Sequence, residues 1–250
     1  MEQEYITKDG YKCIKLGETN SCIYLYCPKM NAMTCAPKLQ VEQTTLWVCG
    51  LGLVDCNNLE EFKAIKKSVA YRNWHGILSR IGKGKYIEVE ISREWIRFSN
   101  FKRFHDENYR DGFVIDKDLR SDRYHKKYSA ETCSYIPVAL NTAIRERSYD
   151  RFNFKKDNKG NYFFHYIVSG KGKTCIIYDR TIEGICEKYS IFRCTRVLSI
   201  YNEYWRELSP DVRKAIETLY DFKNYYERLY ADCVGDIKPI MKQIEDGRLW

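Results

Sequence analysis

Apolar and polar positions alternate in short runs over the first sixty residues, in Tyr11–Leu16, in Cys22–Cys27 and again from Thr44 to Cys56. Lys8-Asp9-Gly10 and Gly17-Glu18-Thr19-Asn20 separate the first runs, and this combination predicts β-hairpins. From Asn58 the period lengthens. Phe62, Ile65 and Val69, then Ala70, Trp74, Ile77 and Leu78, recur three and four residues apart and predict an amphipathic helix over about 59–80, ended by Gly82 and Gly84. Tyr86–Ile91 alternates as a strand. Ser92 is placed to cap a helix through Trp95, Phe98, Phe101 and Phe104, whose aromatic stripe fits a core.

Residues 113–140 hold two strand-like pieces, Phe113–Leu119 and Thr132–Val138, and a helix is expected from about Ala139 to Arg147. Strand, polar loop, strand and short helix make a ββα unit. Two more strands follow at Asn161–Val168 and Thr174–Tyr178, then helices at about 181–206 and 210–232, the last opened by Ser209-Pro210. The fold class expected is α+β. It comprises a β-rich region over 1–57, a central ββα domain with flanking helices over 58–150, and a small sheet followed by helices over 151–250.

Composition adds a boundary. The chain has 250 residues, 44% hydrophobic and 15% aromatic, with 14 Gly and 5 Pro, which excludes collagen-like, linker-like and wholly disordered chains. No run approaches the roughly 18 consecutive apolar residues of a membrane helix, and the opening residues carry acids where a signal peptide has a basic region. A soluble intracellular protein with no membrane partner is expected. Eleven cysteines are too sparse for a secreted disulfide scaffold and suit reduced thiols. Cys22, Cys27, Cys35, Cys49 and Cys56 leave two readings open, a zinc site without the usual paired knuckles or the filling of a small core.

The net charge of +8 is unevenly placed. Residues 1–60 hold 5 Lys against 7 acids, or −2, whereas 145–173 hold 8 basic residues against 3 acids, or +5. Arg145, Arg147, Lys155, Lys156, Lys159, Lys171 and Lys173, interleaved with Phe152, Phe154, Tyr162 and Phe163, make the composition of a phosphate-neutralising surface. Solvated hairpin ends are the alternative.

Asp116-Lys117-Asp118 closes the first strand of the ββα unit, and alternation would send both carboxylates to one face and Lys117 to the other. Paired carboxylates suit Mg²⁺ or Mn²⁺, which take oxygen ligands. A solvated strand end is the plainer reading.

The run Trp74, Glu94-Trp95, Phe98-Ser99-Asn100-Phe101-Lys102, Ile115-Asp116-Lys117-Asp118-Leu119, Lys127-Tyr128-Ser129, Glu131-Thr132-Cys133, Ile136-Pro137 and Asn141 resembles phage-encoded HNH-type endonucleases over about 74–144. The resemblance implies a His-Me finger around one divalent metal, Mg²⁺ or Mn²⁺. That ion would stabilise the leaving oxygen of a cleaved phosphodiester in double-stranded DNA. It implies Asp116 as a metal ligand or orienter, Asn141 as the second protein ligand or its positioner, Asp118 as holder of a metal-bound water, and the cytoplasm of an infected bacterium as the setting. HNH motifs place a His directly after the first Asp. Here Lys117 stands there, and an ammonium is a base near neutral pH only if desolvated or beside positive charge. His125 is the nearby imidazole, as base or as a phosphate-contacting loop residue. The C-terminal part weakly resembles the AP2-like DNA-binding module that often follows such a unit. The alternative function is a catalytically inactive derivative serving as a protein-interaction module, a virion component or an inhibitor of a bacterial defence system, through the cysteine-rich N-terminal hairpins.

Overall fold

The computed structural model describes residues 3–121, 126–144, 154–167, 174–231 and 233, and the chain divides into two compact units, Met1–Tyr135 and Ile136–Trp250. Helix and strand are mixed in an α+β protein.

The first unit opens with an antiparallel meander of four strands in sequence order, β1 (Glu4–Ile6), β2 (Lys12–Glu18), β3 (Cys22–Cys27) and β4 (Ala32–Pro37). Gly10, at φ +80°, makes the first turn. Period-2 geometry separates two sets of side chains on β3. Ile23, Leu25 and Cys27 enter one core with Cys13, Ala32, Ala36, Val41, Leu46 and Leu53. Tyr24 and Tyr26, on the opposite face, lie against a second core. Both faces are thus covered, which suits a strand that carries no charged side chain and presents only the tyrosines as its polar positions.

The expected helix over 59–80 is two helices, α1 (Leu59–Lys67) and α2 (Val69–Leu78). Ser68 between them is extended, at ψ 153°. Its hydroxyl donates to the Ile65 carbonyl at 2.7 Å and accepts the Tyr71 N–H at 3.0 Å. A short polar side chain that bonds its own backbone favours a cap over a helix interior. Ser68→Ala is expected to lower stability by about 1 kcal/mol, the usual worth of such a cap, as a fall in the thermal midpoint.

Tyr86–Ile91 is a strand only over β5 (Glu90–Ile91), because a 3₁₀ turn over Gly84–Tyr86 occupies its start. The helix expected from Ser92 starts later. Ser92 accepts the Trp95 N–H in a 3₁₀ turn, Arg97 is extended, and α3 runs Phe98–Asn108. Leu53 causes the delay by exchanging backbone bonds with Ile96 and Phe98 at 2.8 and 3.0 Å. Trp74, Trp95, Phe98 and Phe101 form the centre of the second core, joined by Met33, Val54 and Cys56 from the N-terminal region.

After α3 come β6 (Phe113–Asp116), β7 (Lys127–Tyr128) and β8 (Ser134–Pro137). β6 pairs with β8, and β7 pairs in parallel with β5, Glu90 opposite Lys127 and Ile91 opposite Tyr128.

In the second unit, α4 (Val138–Ile144) precedes a three-stranded sheet in the order β11-β10-β9, built from β9 (Lys155–Lys156), β10 (Tyr162–Ile167) and β11 (Thr174–Asp179). Phe164 packs from the sheet onto Tyr189 and Phe192 of α5 (Ile182–Tyr204), at 5.0 and 5.9 Å between rings. Ser209 caps α6 (Pro210–Leu219), and the helix expected to reach 232 breaks at Tyr220 before resuming over 222–231. No described helix is long and apolar enough to cross a membrane.

Candidate functional site

Asp116 ends β6 and turns the chain. Its Oδ1 accepts the backbone N–H of Leu119 at 2.8 Å and of Asp118 at 3.0 Å, the local bonding that Asp offers a tight turn. The side chain is buried. Burial pushes its carboxyl above the usual range, the N–H bonds offset part of that rise, and the Asp118 charge adds to it.

The strand stops at Asp116, so the alternation that placed Lys117 opposite both carboxylates does not continue. Lys117 turns back and donates to Asp118 Oδ1 at 2.6 Å. It is only 6% exposed and lies over the rings of Tyr86 and Tyr128, 5.4 and 5.8 Å from their centroids. Aromatic faces attract an ammonium and make its burial tolerable. Lys126 reaches the same Asp118 oxygen at 2.7 Å. Partial burial raises the Asp118 carboxyl, and the two lysines more than offset it, leaving it below the ordinary value. Beneath the turn, burial pushes the Cys133 thiol up to about 12, so it stays neutral. Arg120 holds the return strand by donating to the Cys133 carbonyl and the Ser134 hydroxyl, each at 3.3 Å.

A divalent ion needs several converging oxygens. One Asp116 oxygen is committed to two N–H groups, and the exposed Asp118 oxygen already holds two ammonium groups. No group of three or more His, Cys, Asp or Glu side chains that could hold a metal occurs among the described residues. The described part of the turn therefore does not fit Mg²⁺ or Mn²⁺. What it can do is offer one ammonium to an anion: the Lys126 side chain is 40% exposed, and a phosphate oxygen can compete with Asp118 for it, while Lys117 stays buried on the same carboxylate.

A second basic surface lies on the C-terminal sheet. Lys155 and Lys156 on β9 and Lys159 in the following turn are exposed, and Lys156 lies 4.7 Å from the centroid of the Tyr162 ring. Asp157 organises that turn by accepting the N–H groups of Lys159 and Asn161, both at 2.9 Å.

No family model, curated protein or solved structure matches this chain.

Asp116, Lys117 and Asp118 come together in one turn in the first unit. Asn141 lies on α4 in the second, half-buried. His125, Arg145, Arg147, Lys171 and Lys173 lie outside the described residues. Tyr86 and Tyr128 enter the sequence reading only as a strand residue and as part of the family-like run, and neither they nor Lys126 is assigned there to the site. Tyr86 is 31 positions before Lys117 (117 − 86) and is brought near it beside the parallel β5–β7 pair, which no local period signals. The N-terminal cysteines divide by depth: Cys13, Cys27 and Cys56 are buried in the cores, and Cys49 is exposed.

Proposed function

We propose that the protein binds DNA through its phosphate backbone, on a framework related to phage HNH endonucleases. The observation that carries this reading is the exposed set Lys155, Lys156 and Lys159 within a segment of eight basic residues against three acids. Lysines there supply the counterion-releasing contacts from which sequence-independent affinity arises. The resemblance over 74–144 suggests metal-dependent phosphodiester hydrolysis as the activity. The ion pairs of Lys117 and Lys126 with Asp118 favour the second reading, a unit that keeps the framework without the metal chemistry. Ile6 and Leu39, both exposed in the N-terminal region, suit a protein contact in that case.

Two measurements separate these. Affinity for duplex DNA should fall steeply with salt. Lys155→Gln with Lys156→Gln should weaken binding to unrelated sequences alike and flatten the salt slope by about one unit per lost phosphate contact. Unchanged affinity would move the DNA surface elsewhere. Supercoiled plasmid should survive incubation with Mg²⁺ or Mn²⁺, and nicked or linear product abolished by chelation would restore the endonuclease reading.

A further inference from the structure

We infer that the solvent face of the C-terminal sheet is a stacking platform for single-stranded DNA, an inference that rests on the DNA-binding reading and makes its substrate specific. Register defines the face. Phe163 stands opposite Tyr178 on one neighbour and Lys155 on the other, and His165 stands opposite Ile176. Directly paired residues share a face, so Lys155, Phe163, His165, Ile176 and Tyr178 lie together. Phe164 points the other way, into the contact with α5. The sheet is covered by a helix on one side and carries rings on the side away from it.

Those rings are accessible and in contact with one another. Tyr178 is 48% and Ile176 42% exposed, and His165 is also exposed. Phe163 lies 5.2 Å from the His165 ring and 5.4 Å from the Tyr178 ring, centroid to centroid. The cluster is continuous where solvated strands usually carry polar residues. None of the described strand residues on this face is acidic, the Asp157 carboxylate just beyond β9 is held by the Lys159 and Asn161 N–H groups of its turn, and Lys155 lies at the edge of the face. Rings beside the Lys155 ammonium match a ligand with flat faces and a negative backbone. An unpaired strand offers both, because its bases are free to lie on the rings, whereas a duplex hides its base faces in its own stack.

The test uses the 250-residue chain and two fluorescein-labelled probes, an oligothymidylate of about 20 nucleotides and a duplex of equal length, followed by anisotropy at one salt concentration. The oligothymidylate should bind more tightly. Phe163→Leu and Tyr178→Leu keep an apolar side chain but remove the flat ring. Each should weaken oligothymidylate binding about 5- to 150-fold while leaving duplex binding within about twofold. Phe163→Tyr, which keeps the ring, should retain wild-type affinity and so separates loss of stacking from loss of fold. Leucine variants that bind the oligothymidylate like wild type, or that lose both probes equally, would overturn the platform. If the duplex is still held through lysine contacts in the first of those cases, the broader DNA-binding reading stands; if neither probe binds the wild-type protein, both fail.

Discussion

Trp74→Ala is expected to cost about 3–5 kcal/mol, the range for truncating a fully buried aromatic side chain. Trp74 is fully buried, its indole N–H donates to the Trp95 carbonyl at 2.7 Å, and Phe98 and Tyr71 meet it at 5.5 and 5.9 Å between rings. Truncation removes that volume and leaves a buried carbonyl unsatisfied. The site cannot close by collapse, since the walls are other rings, and Gly52 already lies so near that a Cβ there would sit 2.5 Å from the indole. Set against the 5–15 kcal/mol that hold a typical domain together, the loss should lower the thermal midpoint by about 10 °C or more. Trp74→Phe separates the two contributions, because most of the ring volume stays and the N–H goes. It should fall between wild type and Trp74→Ala in calorimetry. A Trp74→Ala protein within about 1 kcal/mol of wild type would mean that the second core does not hold the unit together.

At Asp116 the expected result depends on the replacement. Asp116→Ala removes the acceptor of two backbone N–H groups in a buried turn and should destabilise by about 1–3 kcal/mol for each donor left unpaired. Asp116→Asn keeps an oxygen at that position and should be tolerated. The contrast has a pH signature. Because the folded pKa is raised, the native state holds its proton to a higher pH than the unfolded chain does. The stability this group contributes is therefore fully present below the unfolded value of about 3.9 and is lost as pH rises through the folded value. Wild type should lose ground to Asp116→Asn across that interval, measured as the difference in thermal midpoint from pH 3.5 upward. A pH-independent difference would show that Asp116 titrates alike in both states.

The periodicities of the chain revealed the elements better than their interruptions. β10 and β11 lie within a residue of their expected ends, and Ser209-Pro210 opens α6 as expected. Ser68 was hidden inside a sound helical pattern, because one extended residue leaves the apolar spacing on either side intact. The turn at Asp116 is hidden for a related reason: alternation holds only while the backbone stays extended, and β6 ends at Asp116 itself, ahead of Lys117 and Asp118. The aromatics among the basic residues of 145–173 were visible, but which of Phe163 and Phe164 faces water depends on α5, packed from farther along the chain.

The parallel pair of β5 and β7 carries a consequence for the order in which the first unit assembles. The β1–β4 meander closes short loops and can form early, whereas joining Glu90 to Lys127 closes a loop of 37 positions (127 − 90). That closure costs about 3 kcal/mol of chain entropy beyond a constant. Two-residue strands return little against such a cost, so the pairing has to wait until the second core has already drawn its ends together. The Lys117 ammonium, near the rings of Tyr86, which precedes β5, and Tyr128, which belongs to β7, is then among the last side chains to leave water as the chain folds.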